Sequence, residues 1–142
     1  MTTGPPFSIL VVDDDDVAAE AVIRGLRKSD LLCPIIVAED GQIALQILRA
    51  EHATRSISKP YLVLLDLNMP RITGFEFLRA LRADDALRAT VVFVLSTSGS
   101  DGDRARAYNE GIAGYMVKSG LGPQLKGLAR FLVEYGSAVL LP

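Results

Sequence analysis

The sequence predicts an α/β protein built on a five-stranded, doubly wound parallel sheet. Five short apolar runs alternate with five segments in which apolar residues recur at helical spacing. Because crossovers between parallel strands are right-handed, this alternation places helices on both faces of one sheet. A core built mainly from Leu, Ile, Val and Ala, with only 6% aromatic residues in the chain, is typical of this layered class.

Each predicted strand is an apolar run that stops at polar residues or at a turn signal. The run 62–65, for example, stops at Asp66, and Pro70 forces the chain to turn soon afterwards. Such a run is typical of a strand that is buried on both faces of the sheet. The five predicted strands are residues 7–12, 34–38, 62–65, 91–95 and 113–117.

The predicted helices follow the strands in order. Either Asp15 or Asp16 is suited to cap the first helix, Gly111 stops the fourth, and Pro123 lies in the first turn of the last. The polar connection 51–59 is long for a fold of this kind. The five predicted helices are residues 17–27, 43–48, 74–81, 104–110 and 123–132.

Composition excludes several function classes. A net charge of −2 and the lack of a basic run give no general attraction for nucleic acid or for an anionic membrane. The single cysteine, Cys33, excludes an intramolecular disulfide and is predicted to be a small core residue. No signal-type segment and no apolar run near the ~18 residues of a membrane span is present. We therefore expect a cytoplasmic protein.

The chain of 142 residues is expected to form one domain. We expect residues 1–6 to be a disordered lead-in, residues 7–136 to be the domain, and residues 137–142 to be an apolar tail. The tail either folds back on the domain or packs against a partner.

Polar side chains of complementary charge follow four of the predicted strands. In a parallel sheet these strand ends share one edge, where ligands of open α/β sheets bind. Several carboxylates at one point repel one another unless a cation is present, and their oxygens suit Mg²⁺. A lysine and a hydroxyl at the same edge suit a phosphoryl group, so the set predicts phosphoryl transfer. The set comprises Asp13, Asp14, Asp66, Ser96, Thr97 and Lys118.

Each of these features has an ordinary structural interpretation when it is taken alone. The acidic run 13–16 is compatible with a helix cap and a solvated turn. The hydroxyl-rich segment 96–98 is compatible with a simple loop, and Lys118 with a surface charge. The combination favours a site, because separate strand ends would otherwise have acquired complementary groups by accident.

Four sequence blocks, in a fixed order, extend this interpretation to a known family. They are ILVVDD at 9–14, LLDLNMP at 64–70 followed by Gly74, LST at 95–97 and GYMVK at 114–118. Their order and spacing resemble the receiver domain of two-component response regulators over nearly the whole chain. The resemblance implies a flavodoxin-like fold with strand order 2-1-3-4-5.

The resemblance also implies a role for each matching residue. Asp66 would accept a phosphoryl group from a phosphohistidine of a sensor histidine kinase, with Mg²⁺ as the cofactor. The implied magnesium ligands are Asp13, Asp14, Asp66 and the backbone carbonyl of Asn68. The other implied roles are those of Ser96 as switch hydroxyl, Tyr115 as aromatic switch and Lys118 as phosphoryl contact. Thr97 and Ser98 are expected to line the approach to Asp66 and to affect hydrolysis.

One departure from the family pattern is Lys118-Ser119, where receivers usually have Lys-Pro with a cis peptide bond. A cis bond without proline costs about 3 kcal/mol, so this peptide bond is either trans or strained. The same pair, the long connection 51–59 and the apolar tail resemble the single-domain regulators that partner bacterial phytochromes. That likeness implies a phytochrome-type kinase as partner and a homodimer formed through the last part of the fold.

Two other functions compete with a phosphorylated signalling module whose output is protein contact or relay of the phosphoryl group. A phosphatase of the haloacid-dehalogenase class also uses an Asp nucleophile, but it expects a second Asp where this chain has Asn68, which cannot protonate a leaving group. A pseudo-receiver would bind partners without phosphorylation. We expect no enzyme activity beyond self-dephosphorylation.

Overall fold

The computed structural model describes residues 7–67, 69, 73–97 and 99–142. Five parallel strands form one sheet in the order β2-β1-β3-β4-β5, and helices cover both of its faces. The predicted fold class and strand order are therefore confirmed. The strands are β1 (Ser8–Val12), β2 (Ile35–Ala38), β3 (Tyr61–Leu65), β4 (Val91–Ser96) and β5 (Gly114–Val117). The helices are α1 (Asp16–Lys28), α2 (Gly41–Leu48), α3 (Gly74–Ala83), α4 (Asp101–Asn109) and α5 (Lys126–Ala138).

The core consists of one apolar layer on each face of the sheet. Because side chains alternate between the faces, Leu10 and Val63 point to one layer and Ile9 and Leu62 to the other. The first layer takes its helical side chains mainly from α2 and α3, and the second takes them from α1 and α5. Cys33 lies buried in the second layer as a free thiol whose pKa is raised by burial.

Helix α4 begins three residues before the predicted start at Arg104. Ser100 caps it, since the Ser100 hydroxyl accepts a hydrogen bond from the backbone N–H of Asp103. The capping hydroxyl starts the helix in a segment with little apolar periodicity, which is why the pattern placed the start too late. Gly111, just beyond the helix, adopts a φ of 76°, as its predicted role in stopping the helix requires.

The prediction that Pro123 lies in the first turn of the last helix is wrong. Gln124 and Leu125 have left-handed φ angles of 54° and 57°, which interrupt helical geometry. Pro123 instead opens a separate 3₁₀ turn, Pro123–Leu125, which follows another at Lys118–Leu121. Helix α5 begins only at Lys126.

The peptide bond that departs from the receiver pattern has an ordinary geometry. The cis peptide bond among the described residues is Lys59–Pro60, so Lys118–Ser119 is trans. The chain after Lys118 then enters the 3₁₀ turn Lys118–Leu121.

The polar connection 51–59 lies along the edge strand β2. The Nη1 group of Arg55 donates 2.7 Å to the carbonyl of Val37 and 2.9 Å to the carboxylate of Glu39. Ile57 packs against the core layer of α2 and α3. Arg55 therefore provides a partner for one outward backbone carbonyl of the edge strand.

The apolar tail returns to the domain at the amino-terminal edge of the sheet. Helix α5 continues through two residues of the expected tail and ends at Ala138. Leu141 is partly buried against the core layer of α1 and α5, whereas Leu140 is fully exposed. The tail encloses a groove of about 300 Å³ with Phe7 and Pro60. No helix in the described part of the chain is long and apolar enough to cross a membrane.

Candidate functional site

The amino half of the site begins where β1 ends. Asp13 is 4% exposed, and its backbone N–H donates 3.1 Å to the carbonyl of Ala38 at the end of β2. Its carboxylate accepts a hydrogen bond from the backbone N–H of Asp15 at 3.0 Å. These two bonds hold a buried carboxylate at the carboxyl edge of the sheet.

The four consecutive acids that follow β1 have different structural roles. Asp15 is the N-cap of α1, since its carboxylate accepts the backbone N–H groups of Val17 and Ala18 at 2.9 and 3.3 Å. Asp16 lies in the first helical turn, where a negative charge interacts favourably with the helix dipole. The helix-cap interpretation therefore holds for Asp15 but not for Asp13, and Asp16 is a residue of the helix itself.

Asp66 follows β3, the neighbour of β1 in the sheet. Its backbone N–H donates 2.9 Å to the carbonyl of Val12, which fixes it beside the end of β1. Helix α3 starts close by: a Cβ atom on Gly74 would lie 2.9 Å from the carbonyl oxygen of Asp66, closer than a side chain permits. Only glycine fits at Gly74, because the backbones of α3 and the β3 end approach so closely.

The three acids predicted to meet do lie together. Oxygen atoms from Asp13, Asp14 and Asp66 all lie within 4.8 Å of one another. Asp13 is buried, Asp66 is half-buried and Asp14 is exposed, so the cluster opens to solvent on one side. Three hard oxygen donors at this spacing fit a divalent cation such as Mg²⁺ or Mn²⁺. Asn68, the fourth expected ligand, lies outside the described residues.

Lys118 supplies the positive charge of the site. It follows β5, and its Nζ lies 3.9 Å from the Oδ2 of Asp13. Burial raises the pKa of the Asp13 carboxyl above its ordinary value, and the neighbouring Asp14 and Asp15 act in the same direction. The hydrogen bond from Asp15 and the charge of Lys118 oppose this rise in pKa without cancelling it. The site thus holds a carboxylate whose charge is only partly compensated within the protein.

The hydroxyl and aromatic residues of the prediction lie on β4 and β5. Ser96 is the buried last residue of β4, and Thr97, directly after it, is exposed. Ser98 lies outside the described residues. Tyr115 is half-buried on β5, opposite Val94 in the strand register. All four strand ends therefore place their polar groups at one edge, as the parallel sheet requires.

Two side chains that hold α4 in place were not predicted from the sequence. The hydroxyl of Tyr108, on α4, accepts a hydrogen bond from the backbone N–H of Tyr115 at 3.2 Å. Arg82, at the end of α3, donates hydrogen bonds to the carbonyls of Glu110 and Gly111 beyond α4. Both contacts involve backbone atoms, which leave no signal in a sequence pattern.

Comparison with known protein families identifies the family of this chain. The family described as the response regulator receiver domain matches residues 9–129. The chain belongs to this family. The match runs from Ile9 in β1 past the end of β5 and includes the acid cluster and Lys118, so the resemblance of the four sequence blocks is confirmed.

The receiver is also similar to individual proteins. It is 36% identical to the probable methanogenesis regulatory protein FilR2 of Methanothrix harundinacea, over 92% of this chain and 83% of that protein. It is 29% identical to the response regulator Rcp1 of Synechocystis, over 93% of this chain and 92% of Rcp1.

Solved structures of response regulators share the fold. The phosphorylated cyanobacterial phytochrome response regulator RcpA superposes with a TM-score of 0.78 at 28% identity, covering 96% of this chain and 98% of RcpA. The Mn²⁺-bound form of Rcp1 superposes with a TM-score of 0.75 at 29% identity, covering 96% of this chain and 99% of Rcp1. This chain is therefore a two-component response regulator receiver, homologous to phytochrome response regulators.

Proposed function

We propose that this receiver accepts a phosphoryl group on the carboxylate of Asp66 from a phosphohistidine of a sensor histidine kinase. The observation that carries the proposal is the meeting of three carboxylates within 4.8 Å, with the ammonium group of Lys118 3.9 Å from one of them. Phosphoryl transfer depends on positioning and charge neutralisation more than on covalent chemistry, and this cluster suits both.

The transfer forms one bond and breaks one. A carboxylate oxygen of Asp66 attacks the phosphorus atom, the phosphorus–nitrogen bond of the donor breaks, and the imidazole leaves with a proton taken up from water. Asp66 is half-buried, so the residue is partly accessible from solvent, and its backbone bond to Val12 fixes its position. Positioning the nucleophile in this way lowers the entropic part of the barrier.

Mg²⁺ is the proposed cofactor, held by Asp13, Asp14, Asp66 and the backbone carbonyl of Asn68. When bound, it would neutralise charge on the phosphoryl oxygens and on the acids around them. The raised pKa of Asp13 supports this assignment, because a buried carboxylate with incomplete compensation gains from a nearby cation.

The remaining residues act on the phosphoryl group or respond to it. Lys118 contacts a phosphoryl oxygen as a point charge, and the Ser96 hydroxyl donates a hydrogen bond to another. Tyr115 is the aromatic switch, and its side-chain orientation changes with the position of Ser96. Thr97, exposed beside Ser96, lines the approach for water and thereby affects self-dephosphorylation, the only reaction we assign to the protein itself.

A phytochrome-type kinase in the cytoplasm is the proposed phosphodonor. The similarity to RcpA and Rcp1 over nearly the full length of each supports this partner. The proposed output of the receiver is contact with another protein or relay of the phosphoryl group. We also propose a homodimer formed through α5 and the tail, because Val133 and Leu140 expose apolar surface there.

Phosphorylation by acetyl phosphate and Mg²⁺ tests the acceptor. Intact mass should show one added phosphoryl group on the wild type and none on Asp66→Asn. Asp16→Asn is the matched control, because it removes a nearby acid that is not part of the acid cluster. This variant should be phosphorylated like the wild type. An unmodified wild type whose circular dichroism shows a folded α/β protein would support the pseudo-receiver instead.

The partner is tested separately by phosphotransfer. A phosphorylated phytochrome-type kinase should transfer its phosphoryl group to this receiver within minutes, whereas a histidine kinase of another class should transfer it much more slowly. Equal transfer from both kinases would remove the phytochrome assignment and leave the Asp66 assignment intact.

A further inference from the structure

Helix α4 is joined to the rest of the receiver mainly by polar contacts. Of its nine residues only Ala107 is buried, and the helix contributes just that side chain to the core layer of α2 and α3. Apolar packing gives most helices their stability in a protein, so a helix with so little of it depends on specific contacts. The response of α4 to a change in the elements around it therefore depends on those contacts.

One such contact joins α4 to β5. The phenol oxygen of Tyr108 lies 3.2 Å from the backbone nitrogen of Tyr115, whose N–H donates to it. Strand β5 is the last strand of the sheet, so backbone groups on its outer side have no neighbouring strand to bond with. The Tyr108 hydroxyl serves as the acceptor there, although the Tyr108 side chain itself is 48% exposed.

Two further contacts hold α4 from other directions. The guanidinium of Arg106 lies over the ring of Phe75 on α3, with its carbon 4.0 Å from the ring centre. Arg82 holds the carbonyls of Glu110 and Gly111, beyond the carboxyl end of α4. The carboxyl end is thus fixed to α3, and the Tyr108 hydroxyl connects the same half of the helix to β5.

The Tyr108 contact is close to the phosphoryl site along the chain. Three residues after Tyr115, β5 delivers Lys118, whose Nζ is 3.9 Å from the Asp13 carboxylate. Two positions beyond Tyr115 in the register, Val117 pairs with Ser96 of β4. A change at Lys118 or Ser96 therefore acts on the strand whose backbone the Tyr108 hydroxyl holds.

We propose that Tyr108 is a positioning residue that couples α4 to the backbone of Tyr115, so that phosphorylation of Asp66 alters α4 through β5. This inference rests on the function proposed above. The coupling needs the hydroxyl and not the ring, because the contact is a single hydrogen bond to a main-chain N–H. Tyr108→Phe keeps the ring and removes the acceptor.

Amide hydrogen exchange followed by NMR tests the coupling, with and without acetyl phosphate and Mg²⁺. Without phosphorylation, the Tyr115 amide of Tyr108→Phe should exchange about three- to tenfold faster than in the wild type, since its acceptor is gone. With phosphorylation, both proteins should show changed exchange in 113–117. The accompanying change in 101–109 should fall to about half or less in Tyr108→Phe.

Tyr61→Phe is the matched control. It removes another tyrosine hydroxyl with a hydrogen bond, to Thr90, and leaves the contact between Tyr108 and the Tyr115 backbone in place. It should leave the exchange response of 101–109 at its wild-type size. Intact mass of each sample gives the phosphorylated fraction, so responses are compared at equal phosphorylation.

Three outcomes would overturn the coupling. They are an unchanged Tyr115 amide in Tyr108→Phe, a wild-type α4 that does not respond to phosphorylation, and a response of 101–109 that is equal in both proteins. A wild type that takes up no phosphoryl group would instead count against the function proposed for Asp66. The Tyr115 amide comparison would then still decide whether the hydroxyl holds β5.

Discussion

The guanidinium of Arg82 holds the carbonyl oxygen of Glu110, with its Nε 2.7 Å away, and so joins the end of α3 to the residue after α4. The same guanidinium donates to the carbonyls of Arg88, Thr90 and Gly111 at 2.7 to 2.9 Å. Four carbonyls from two segments, 88–90 and 110–111, therefore converge on one charge. Burial lowers the pKa of the Arg82 guanidinium, and nearby Glu110 partly offsets that shift. Arginine side chains stay protonated in proteins, so the donor is charged.

Arg82→Ala should lower the free energy of unfolding by about 2–3 kcal/mol, because hydrogen bonds from a charged donor are lost and part-buried carbonyls are left without it. Arg79→Ala is the control on the same helix. Its side chain is 64% exposed and lies 3.8 Å from Glu110, so its loss should cost under about 1 kcal/mol. Urea denaturation measures both, and equal losses would contradict the role of Arg82.

Gly25→Ala should destabilise the receiver by about 1–3 kcal/mol, although alanine normally favours a helix interior. A methyl group on Gly25 would collide with the carbonyl oxygen of Gln124, so the 3₁₀ turn Pro123–Leu125 would have to move away from α1. Thermal or urea denaturation measures the loss.

Gly102→Ala is the control for that substitution. The nearest atom to its new methyl group would be the Ser100 hydroxyl, 3.9 Å away, so the variant should be stabilised by up to about 1 kcal/mol. If Gly25→Ala were stabilised as much as Gly102→Ala, the close approach of α1 to the turn would not be a constraint in solution.

Asp13→Asn should raise the free energy of unfolding by about 1 kcal/mol in buffer with a metal chelator. Burial disfavours the charge on Asp13, while an amide oxygen in its place still accepts the hydrogen bond from Asp15. Mg²⁺ should raise the Tm of the wild type and leave that of Asp13→Asn nearly unchanged. Asp16→Asn should keep the wild-type response to Mg²⁺, and a less stable Asp13→Asn in chelator would contradict the argument.

Two leucines of the tail should have different roles, since Leu141 should stabilise the fold and Leu140 should serve self-association. Leu141→Asp should cost about 1–3 kcal/mol of unfolding free energy, because it places a charge against the core layer of α1 and α5. Leu140 is fully exposed, so Leu140→Asp should change stability by under about 0.5 kcal/mol. If the proposed dimer uses the tail, Leu140→Asp should raise the dimer Kd about tenfold or more. An unchanged sedimentation profile would remove the tail from that role.

The strands could be predicted because each depends on its own residues. An apolar run such as that of β3, closed by Asp66, carries both the strand and its end within a few positions. The helix boundaries were less predictable where side-chain capping or backbone geometry set them. The Ser100 cap starts α4 earlier than the apolar pattern indicates. The left-handed backbone at Gln124 and Leu125 means that α5 begins only at Lys126.

The sequence by itself determined the five-stranded sheet and the edge at which Asp13, Asp66 and Lys118 meet, because parallel strands end on the same side. Only the structure decided that Asp15, and not Asp16, caps α1. The structure also decided that Tyr108 joins α4 to β5 and that Arg82 joins α3 to the end of α4. The reason is physical: these side chains bind backbone N–H and C=O groups, which nearly every residue has, so folding alone selects their partners.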